Sequence, residues 1–234
     1  MKVLWCGALI PYKDDNPAAT TPYVTFSIIG INCLVFIYEL VYPGGLQKFA
    51  FNYGAIPYSI VFLRTVQPIS PIVSVFTSMF VHGGFLHIAG NMLYLWIFGD
   101  NIEDKIGHFR FIIFYLLCGV VAVYSFAFTD PASTMPMIGA SGAIAGVLGA
   151  YILLFPRAQV YTIIFLGIFV QIIRLPALIV IGFWAFIQFL NGFFGTVAPT
   201  RGGIAWFAHV GGFLFGLLTI KLFMFRVKRG GSWR

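Results

Sequence analysis

The sequence predicts an all-α membrane protein that crosses the bilayer six times. Of its 234 residues, 60% are hydrophobic and only 9% are charged, whereas soluble domains carry about 25% charged residues. The mean hydropathy is +0.94. A helix needs about 20 apolar residues to cross the hydrocarbon core, and six apolar stretches approach this length. Because the chain has too few polar side chains to cover a folded surface, we expect lipid to surround it.

The six apolar stretches are assigned to six spans in chain order. They cover residues 24–41, 82–98, 109–126, 137–155, 175–193 and 203–225. The fifth span is expected to start at Arg174-Leu175-Pro176, because proline is favoured in the first turn of a helix.

Two apolar segments outside the spans are expected to lie in the membrane interface. Residues 160–173 precede the fifth span, but residues 159–192 are too few for two crossings and a turn, which need roughly 40. We therefore expect residues 160–173 to form an interfacial or re-entrant segment. The outer loop, residues 42–81, is rich in Phe, Ile, Val and Pro and poor in charge, which is also typical of an interfacial segment.

Lysine and arginine are unevenly divided between the two sides of the membrane in this topology. With the N-terminus inside, Lys48, Arg64 and Arg201 lie outside and the other 11 of the 14 basic residues lie inside. This bias is typical of the cytoplasmic side and explains the net charge of +7 without nucleic-acid binding. The expected organisation is a cytoplasmic N-terminal tail (residues 1–23), a six-helix membrane domain (residues 24–225) and a basic cytoplasmic tail (residues 226–234).

Polar side chains inside the predicted spans are the candidates for function, because such groups are unfavourable in lipid. His82, His87 and Asn91 lie in the second span, Ser141 in the fourth and His209 in the sixth. These spans run in the same direction. With a rise of 1.5 Å per residue, His87, Ser141 and His209 lie roughly 6–9 Å below the outer helix ends. Asn91 lies one turn beneath His87 on the same helix face, so the sequence predicts one shared polar layer.

Small residues predict that two of these helices approach closely. The fourth span contains Gly142 and Gly146, and the sixth contains Gly212 and Gly216. GxxxG spacing lets membrane helices pack at short range. Contact between the two glycine stripes would bring the serine hydroxyl of the fourth span within reach of the histidine of the sixth.

This arrangement permits nucleophilic catalysis. His209 is a base that can activate the hydroxyl of Ser141 near neutral pH. The amide of Asn91, a ring N–H of His87 and the backbone N–H of Ser141 can stabilise an oxyanion. The layer contains no Asp or Glu, so the sequence predicts a Ser-His dyad in which packing or a neighbouring carbonyl orients the histidine.

Three signatures of the chain resemble those of the rhomboid family of intramembrane serine proteases. They are Gly139-Ala140-Ser141-Gly142, the His82…His87…Asn91 pattern and the sequence Ala-His-Val-Gly-Gly-Phe-Leu-Phe-Gly at residues 208–216. The resemblance implies a rhomboid-like six-helix core that cleaves single-span membrane proteins near the outer membrane face. It implies Ser141 as the nucleophile and His209 as the base. It also implies His87 and Asn91 as oxyanion donors, and the fifth helix with residues 194–202 as substrate gate and cap.

Two positions depart from the pattern of the family. Many members carry an aromatic residue four positions after the serine, where it stacks on the histidine, but this chain has Ala145. Some members carry a Trp-Arg pair in the first outer loop, whereas this loop has Arg64 and no Trp. We therefore expect His209 to be held in a different way.

Structural explanations exist for each candidate taken alone. Ser141 could be a packing residue among small neighbours, and His209 could be a buried histidine bonded to a carbonyl. His87 and Asn91 could join helices by hydrogen bonds. His82, at the mouth of the second span, is expected to have such a structural role. Three neutral amides are interpreted as contacts between helices: Asn32, Gln188 and Asn191.

Other classes of membrane protein lack their required residues here. An aspartyl protease needs two aspartates inside the membrane, and the predicted spans contain none. A zinc protease would need a Glu beside its paired histidines, and no Glu lies between His82 and His87. We expect no metal and no cofactor. A small transporter would show charges inside the membrane or paired broken helices, which the sequence lacks.

The alternative to an enzyme is a non-catalytic rhomboid-like protein that binds membrane clients. Such proteins usually lack the serine or the histidine, and both are present here. The brief tails and the absence of a transit peptide lead us to expect a prokaryotic plasma membrane, with both termini in the cytoplasm.

Overall fold

The protein is a helical bundle with a small antiparallel sheet at one end. The computed structural model describes residues 9–166, 169–197 and 206–224. Its helices are α1 (Tyr23–Val41), α2 (Gly45–Tyr53), α3 (Pro57–Phe62), α4 (Pro71–Thr77), α5 (Phe85–Ile106), α6 (His108–Ala127), α7 (Ser141–Leu154), α8 (Ala177–Val197) and α9 (Trp206–Phe223), with a 3-10 turn at Ser78–Phe80. Its strands are β1 (Ile10–Asp14), β2 (Gln159–Leu166) and β3 (Phe169–Pro176).

Each of the six predicted spans corresponds to a helix, but not every helix has the length of a full crossing. Among the described residues, α1, α6 and α9 are long and apolar enough to span a membrane. The segments Pro71–Phe80 and Phe85–Ile106 make a fourth crossing if they are counted as one span bent by 83°. The helix α7 and the described apolar part of α8 are shorter. The chain is an integral membrane protein, and the number of six crossings stays a prediction.

The helix α7 begins at Ser141, four residues later than the fourth predicted span. Before it, Met137 pairs with Ala55 in an isolated β-bridge, and the N–H of Gly139 donates to the carbonyl of Ser78 at 2.8 Å. Gly139 has a φ of +117°. This backbone conformation is unfavourable for residues that have a Cβ atom, so glycine suits the position. This extended entry makes Ser141 the first residue of its helix.

The helix α5 continues to Ile106, eight residues beyond the predicted end, because α1 binds its charged end. Glu103 is completely buried and accepts hydrogen bonds from the backbone N–H groups of Val24 and Thr25, at 2.9 and 2.7 Å. These donors lie in the first turn of α1, where N–H groups have no partner within the helix. The Nδ1 of His108 also contacts the Glu103 carboxylate at 2.5 Å.

The prediction of an all-α fold is wrong at residues 160–173. Its described residues, 160–166 and 169–173, lie in the antiparallel strands β2 and β3, whose register runs from Gln159 opposite Pro176 to Leu166 opposite Phe169. β1, which lies in the predicted N-terminal tail, adds to β2 in the order β1-β2-β3. The segment is rich in Val, Ile, Tyr, Thr and Phe, the residues that favour strands, and pairing satisfies backbone groups that an irregular segment would leave exposed.

The outer loop contains short helices and packs on the bundle. Within residues 42–81, α2, α3 and α4 each bury one or more side chains, while other apolar residues such as Ile72 stay exposed. Ile60, Val75 and Met79 are buried in one cluster with Val123 of α6. The segment is therefore part of the fold as well as a candidate for the membrane interface.

The helices α7 and α9 cross in direct backbone contact. A Cβ atom added to Gly216 would collide with the carbonyl oxygen of Gly146, and one added to Gly212 would collide with that of Gly142. No other residue type fits at these positions without a shift of one helix. The two GxxxG stripes therefore set the distance between α7 and α9.

Replacing Gly216 with alanine is expected to lower the free energy of unfolding by about 1–3 kcal/mol, because the added methyl group overpacks the crossing. Thermal unfolding in detergent measures the change. Gly30→Ala is the matched control, since a Cβ at Gly30 meets nothing within 4 Å and alanine is the better helix former. Equal stability of the two variants would contradict the crossing as described.

Asp14 joins the sheet to the bundle. The hydroxyl of Tyr151 on α7 donates to the Asp14 carboxylate at 2.5 Å. Burial raises the pKa of Asp14 to about 6 because it disfavours the charged form. The folded protein therefore binds this proton more tightly than the unfolded chain, in which the pKa of aspartate is about 3.9.

Asp14→Asn is expected to stabilise the protein at pH 7.5. By linkage, the contribution of Asp14 to the unfolding free energy falls as the pH rises from about 4 to about 6, whereas asparagine does not ionise and still accepts the Tyr151 hydrogen bond. Unfolding curves recorded from pH 4 to 7.5 should show a higher unfolding free energy for the variant than for the wild type, and this difference should shrink toward pH 4. The matched control is Asp130→Asn, at an exposed position, and a gain for Asp14→Asn that grows toward low pH would contradict the assignment.

Candidate active site

The side chains of Ser141 and His209 meet where α7 and α9 cross. The Ser141 Oγ and the His209 Nε2 are 2.7 Å apart, a hydrogen-bond distance. Ser141 is half-buried, and His209 is 9% exposed. Gly142 and Gly212, which touch across the crossing, lie one and three residues after this pair. The glycine contact therefore fixes the distance between the hydroxyl and the imidazole.

The second ring nitrogen of His209 contacts Gln188 on α8. The His209 Nδ1 lies 2.7 Å from the Gln188 Oε1, and Gln188 is 8% exposed. An amide oxygen only accepts hydrogen bonds, so the ring proton lies on Nδ1. The Nε2 then carries a lone pair, which accepts a hydrogen bond from the hydroxyl of Ser141. Sequence reasoning assigned Gln188 to helix contacts and did not connect it with the histidine.

Two tryptophans surround the imidazole in place of an aromatic residue at position 145. The ring of Trp184 is centred 5.9 Å from that of His209, with an interplanar angle of 43°. The ring of Trp206 is 6.3 Å away at 81°. Trp184 and Gln188 are four residues apart, so they lie on one face of α8. The spacing predicts that the two residues share a face of α8, but it does not predict that this face meets His209.

His82 and Asn91 form a second polar pair beside the serine. The carbonyl of Phe80 lies 3.2 Å from the His82 Nδ1, which places the ring proton on that nitrogen. The His82 Nε2 therefore accepts from the Asn91 Nδ2, 2.9 Å away. This bond orients the amide of Asn91 and leaves its second N–H for another acceptor. His82 lies before α5, outside the helix that was predicted to contain it.

His87 borders the backbone that leads into Ser141. The N–H of Gly83 donates to the His87 Nδ1 at 3.4 Å, so the ring proton lies on Nε2. A Cβ atom added to Gly139 would lie 2.7 Å from that Nε2 and 3.6 Å from the Asn91 Nδ2. The imidazole of His87 and the amide of Asn91 therefore lie beside the turn that enters α7, two residues before Ser141.

Glu39 holds the loop that carries His82. This residue lies near the end of α1 and is completely buried. Its carboxylate accepts the backbone N–H of His82 at 3.0 and 3.3 Å. The loop before α5 is thereby tied to the C-terminal end of α1.

Two predicted segments extend beyond the described residues. Of the predicted cap, residues 194–197 form the end of α8, and residues 198–202 lie outside the part of the chain that the structure describes. The predicted basic tail, residues 226–234, also lies outside it.

Comparison with known sequences identifies the surrounding domain. The sequence profile described as the Rhomboid domain matches residues 70–226, more than half of the chain. The match contains all the residues discussed above as parts of the site, apart from Glu39.

Individual relatives come from mitochondria and from a bacterium. The chain is 30% identical over 151 residues to the yeast protein "Rhomboid protein 1, mitochondrial", which is 62% of this chain and 40% of that one. It is 30% identical over 183 residues to the mouse "Presenilin-associated rhomboid-like protein, mitochondrial", or 72% and 45% of the two chains. It is 43% identical over 75 residues to "Rhomboid protease GluP" of Bacillus subtilis, or 32% and 14%. The matched segments span less than half the length of these relatives.

Proposed function

We propose that the chain, which belongs to the rhomboid family, is an intramembrane serine endopeptidase that uses Ser141 and His209 as a catalytic dyad. The observation that carries the proposal is the 2.7 Å hydrogen bond between the Ser141 Oγ and the His209 Nε2. A protein with this pair can cleave a peptide bond without metal or ATP. The name of one bacterial relative, a rhomboid protease, agrees with this activity.

The proposed reaction begins with proton transfer from the Ser141 hydroxyl to the His209 Nε2. The Oγ attacks the scissile carbonyl carbon, and the electron pair of the carbonyl moves to its oxygen. The tetrahedral intermediate collapses as the C–N bond breaks, and His209 gives its proton to the leaving amine. A water molecule, activated by the same nitrogen, then hydrolyses the acyl-enzyme and restores the serine.

Three donors are proposed to bind the oxyanion. The His87 Nε2–H and the Asn91 Nδ2–H flank the turn at Gly139, and the backbone N–H of Ser141 lies at the start of α7 without a partner in the helix. Because His82 holds the Asn91 amide in place, this donor does not have to reorganise during the reaction. Such preorganisation is the main source of oxyanion stabilisation.

The substrates are proposed to be transmembrane segments of single-span membrane proteins. Ser141 and His209 lie near the first residues of α7 and α9, so the dyad is close to one end of the bundle. A substrate helix must unwind locally there, since a hydrogen-bonded helix hides its carbonyl groups. The six-helix membrane domain of residues 24–225 is proposed as the unit that admits it.

The opposite end of the bundle is proposed to face the cytoplasm. It contains the start of α1 beside the end of α5, the sheet beside the end of α7, and the start of α6 beside the end of α9. The described basic residues at this end are Lys13, Lys105, Arg110, Arg157, Arg174 and Lys221, against Lys48 and Arg64 at the other. This distribution supports cytoplasmic termini.

The expected location in a prokaryotic plasma membrane is weakened by the mitochondrial names among the relatives. Bacterial relatives also occur, so the relatives support an integral membrane protein rather than one particular membrane. In either membrane the dyad is proposed to open toward the side that carries fewer basic residues.

A fluorophosphonate probe is expected to label the purified protein at Ser141. Labelling should disappear in Ser141→Ala and persist in Ser27→Ala, a serine on α1 that bonds only the carbonyl of Tyr23 among the described residues.

His209→Ala is expected to slow cleavage of a transmembrane substrate about 10²–10⁴-fold, the usual contribution of a general base. Mass spectrometry and gel-based cleavage in proteoliposomes measure the two effects.

Failure of the wild-type protein to react with the probe or to cleave would favour the alternative function, a non-catalytic protein that binds membrane clients. Labelling that survives in Ser141→Ala would place the nucleophile elsewhere. Full cleavage by a folded His209→Ala variant would remove the histidine from the mechanism.

Asn91→Ala is expected to lower kcat about 10²–10³-fold, as loss of an oxyanion donor typically does, with little change in KM. The variant should remain folded in a thermal unfolding assay. Asn52→Ala is the matched control, because the amide of Asn52 bonds the hydroxyl of Tyr42 in the outer segment. An unchanged kcat in Asn91→Ala would exclude this amide from the oxyanion site.

A further inference from the structure

We propose that Gln188 is a positioning residue for catalysis, which makes the working unit a Ser-His-Gln triad instead of a dyad. The inference rests on the proposed function of Ser141 and His209. Gln188 does not touch the reacting atoms. Its role is to hold the imidazole in one tautomer and one orientation.

The hydrogen-bond chain fixes the tautomer. The Gln188 Oε1 accepts from the His209 Nδ1 at 2.7 Å, and the His209 Nε2 faces the Ser141 Oγ at 2.7 Å. A neutral imidazole has one N–H and one lone pair. With the N–H on the side of Gln188, the lone pair must point at the hydroxyl, which is the arrangement that a general base requires. Without this acceptor, the ring could carry its proton on Nε2 and could not deprotonate the serine.

Burial makes this contact hard to replace. Gln188 is 8% and His209 is 9% exposed, so little water is present to accept from the Nδ1–H. A buried donor without a partner is destabilised by about 1–3 kcal/mol. Loss of the amide oxygen would therefore favour the other tautomer or a rotated ring.

A neutral amide suits this position. Neither α8 nor α9 contains an Asp or a Glu, and a carboxylate between two apolar helices would have to be desolvated. An amide oxygen orients the ring without that penalty. Gln188 thus orients the His209 ring as a carboxylate would, without a charged group beside the buried imidazole.

The position of Gln188 links the base to the helix that the family resemblance names as the gate. Trp184 lies one turn before Gln188 and also contacts the His209 ring. Both contacts come from one face of α8, whereas the serine comes from α7. The orientation of His209 therefore depends on α8 being docked against α9.

Purified full-length protein in proteoliposomes tests the proposal, with a transmembrane substrate and separate determination of kcat and KM. Gln188→Met keeps the length of the side chain and removes the acceptor. Gln188→Glu restores an acceptor, because a carboxyl oxygen accepts from Nδ1–H in either charge state. Phe189→Leu, an exposed neighbour on the same helix, is the matched control. Thermal unfolding reports the fold of each variant, and Gln188→Ala replaces the methionine variant if that one does not fold.

We expect Gln188→Met to lower kcat about 10- to 100-fold, a part of the usual contribution of a general base, with KM within about twofold of the wild type. The rate of fluorophosphonate labelling at Ser141 should fall in parallel, since this reaction needs an activated serine but no peptide. Gln188→Glu should recover kcat to within about fivefold, and Phe189→Leu should behave as wild type. Recovery by the acceptor variant distinguishes positioning from packing.

A wild-type protein that cleaves normally, together with a folded Gln188→Met variant of unchanged kcat and labelling rate, would overturn the role of Gln188 and leave the proposed function intact. A loss confined to KM, or a Gln188→Glu variant as slow as Gln188→Met, would also overturn it. A wild-type protein that neither cleaves nor labels would refute the proposed function itself.

Discussion

The backbone contact between α7 and α9 is the constraint on which the site depends. Gly142 and Gly146 on one helix, and Gly212 and Gly216 on the other, let carbonyl oxygens of α7 approach the α-carbons of α9 without side chains between them. A hydrogen bond between a hydroxyl and an imidazole weakens steeply when the atoms separate by a few tenths of an ångström beyond 3 Å. Helices separated by ordinary side chains pack 8–10 Å apart, so glycine at the crossing is what allows a short serine side chain to reach the ring.

Buried hydrogen bonds connect the elements around this crossing, because lipid offers no alternative partners to polar groups. Glu103 binds the start of α1 to the end of α5. At the other end of the bundle, Glu39 binds α1 to the loop before α5, and the same loop presents His82 to Asn91. Each bond stabilises the fold, and the last also orients a group of the candidate site. Some of the hydrogen bonds that hold the helices together therefore also position groups of the candidate site.

The sequence predicted the helices well where apolar residues alone define them. The first and third spans differ from α1 and α6 by one residue at most, and the polar layer that contains Ser141 and His209 follows from helix direction and a constant rise. The errors arise where a distant partner decides the structure. The charged end of α5 is helical because Glu103 has donors on α1. Residues 160–166 and 169–173 are strands because they can pair with each other and with β1. Gln188 was assigned to helix contacts because its partner is decided by which face of α8 meets α9, and chain spacing alone does not define that face.

The sheet joins segments that leave the ribosome far apart in time. Ile10 pairs with Ile163, so β1 has no strand to bind until most of the chain has been translated. At the usual 5–20 residues per second, this interval is on the order of 10 s. During that period the long helices α1, α5 and α6 can enter the membrane while the first strand stays unpaired. Closure of the sheet thus has to wait for β2, and it draws the N-terminal segment back onto α7, which precedes β2 in the chain.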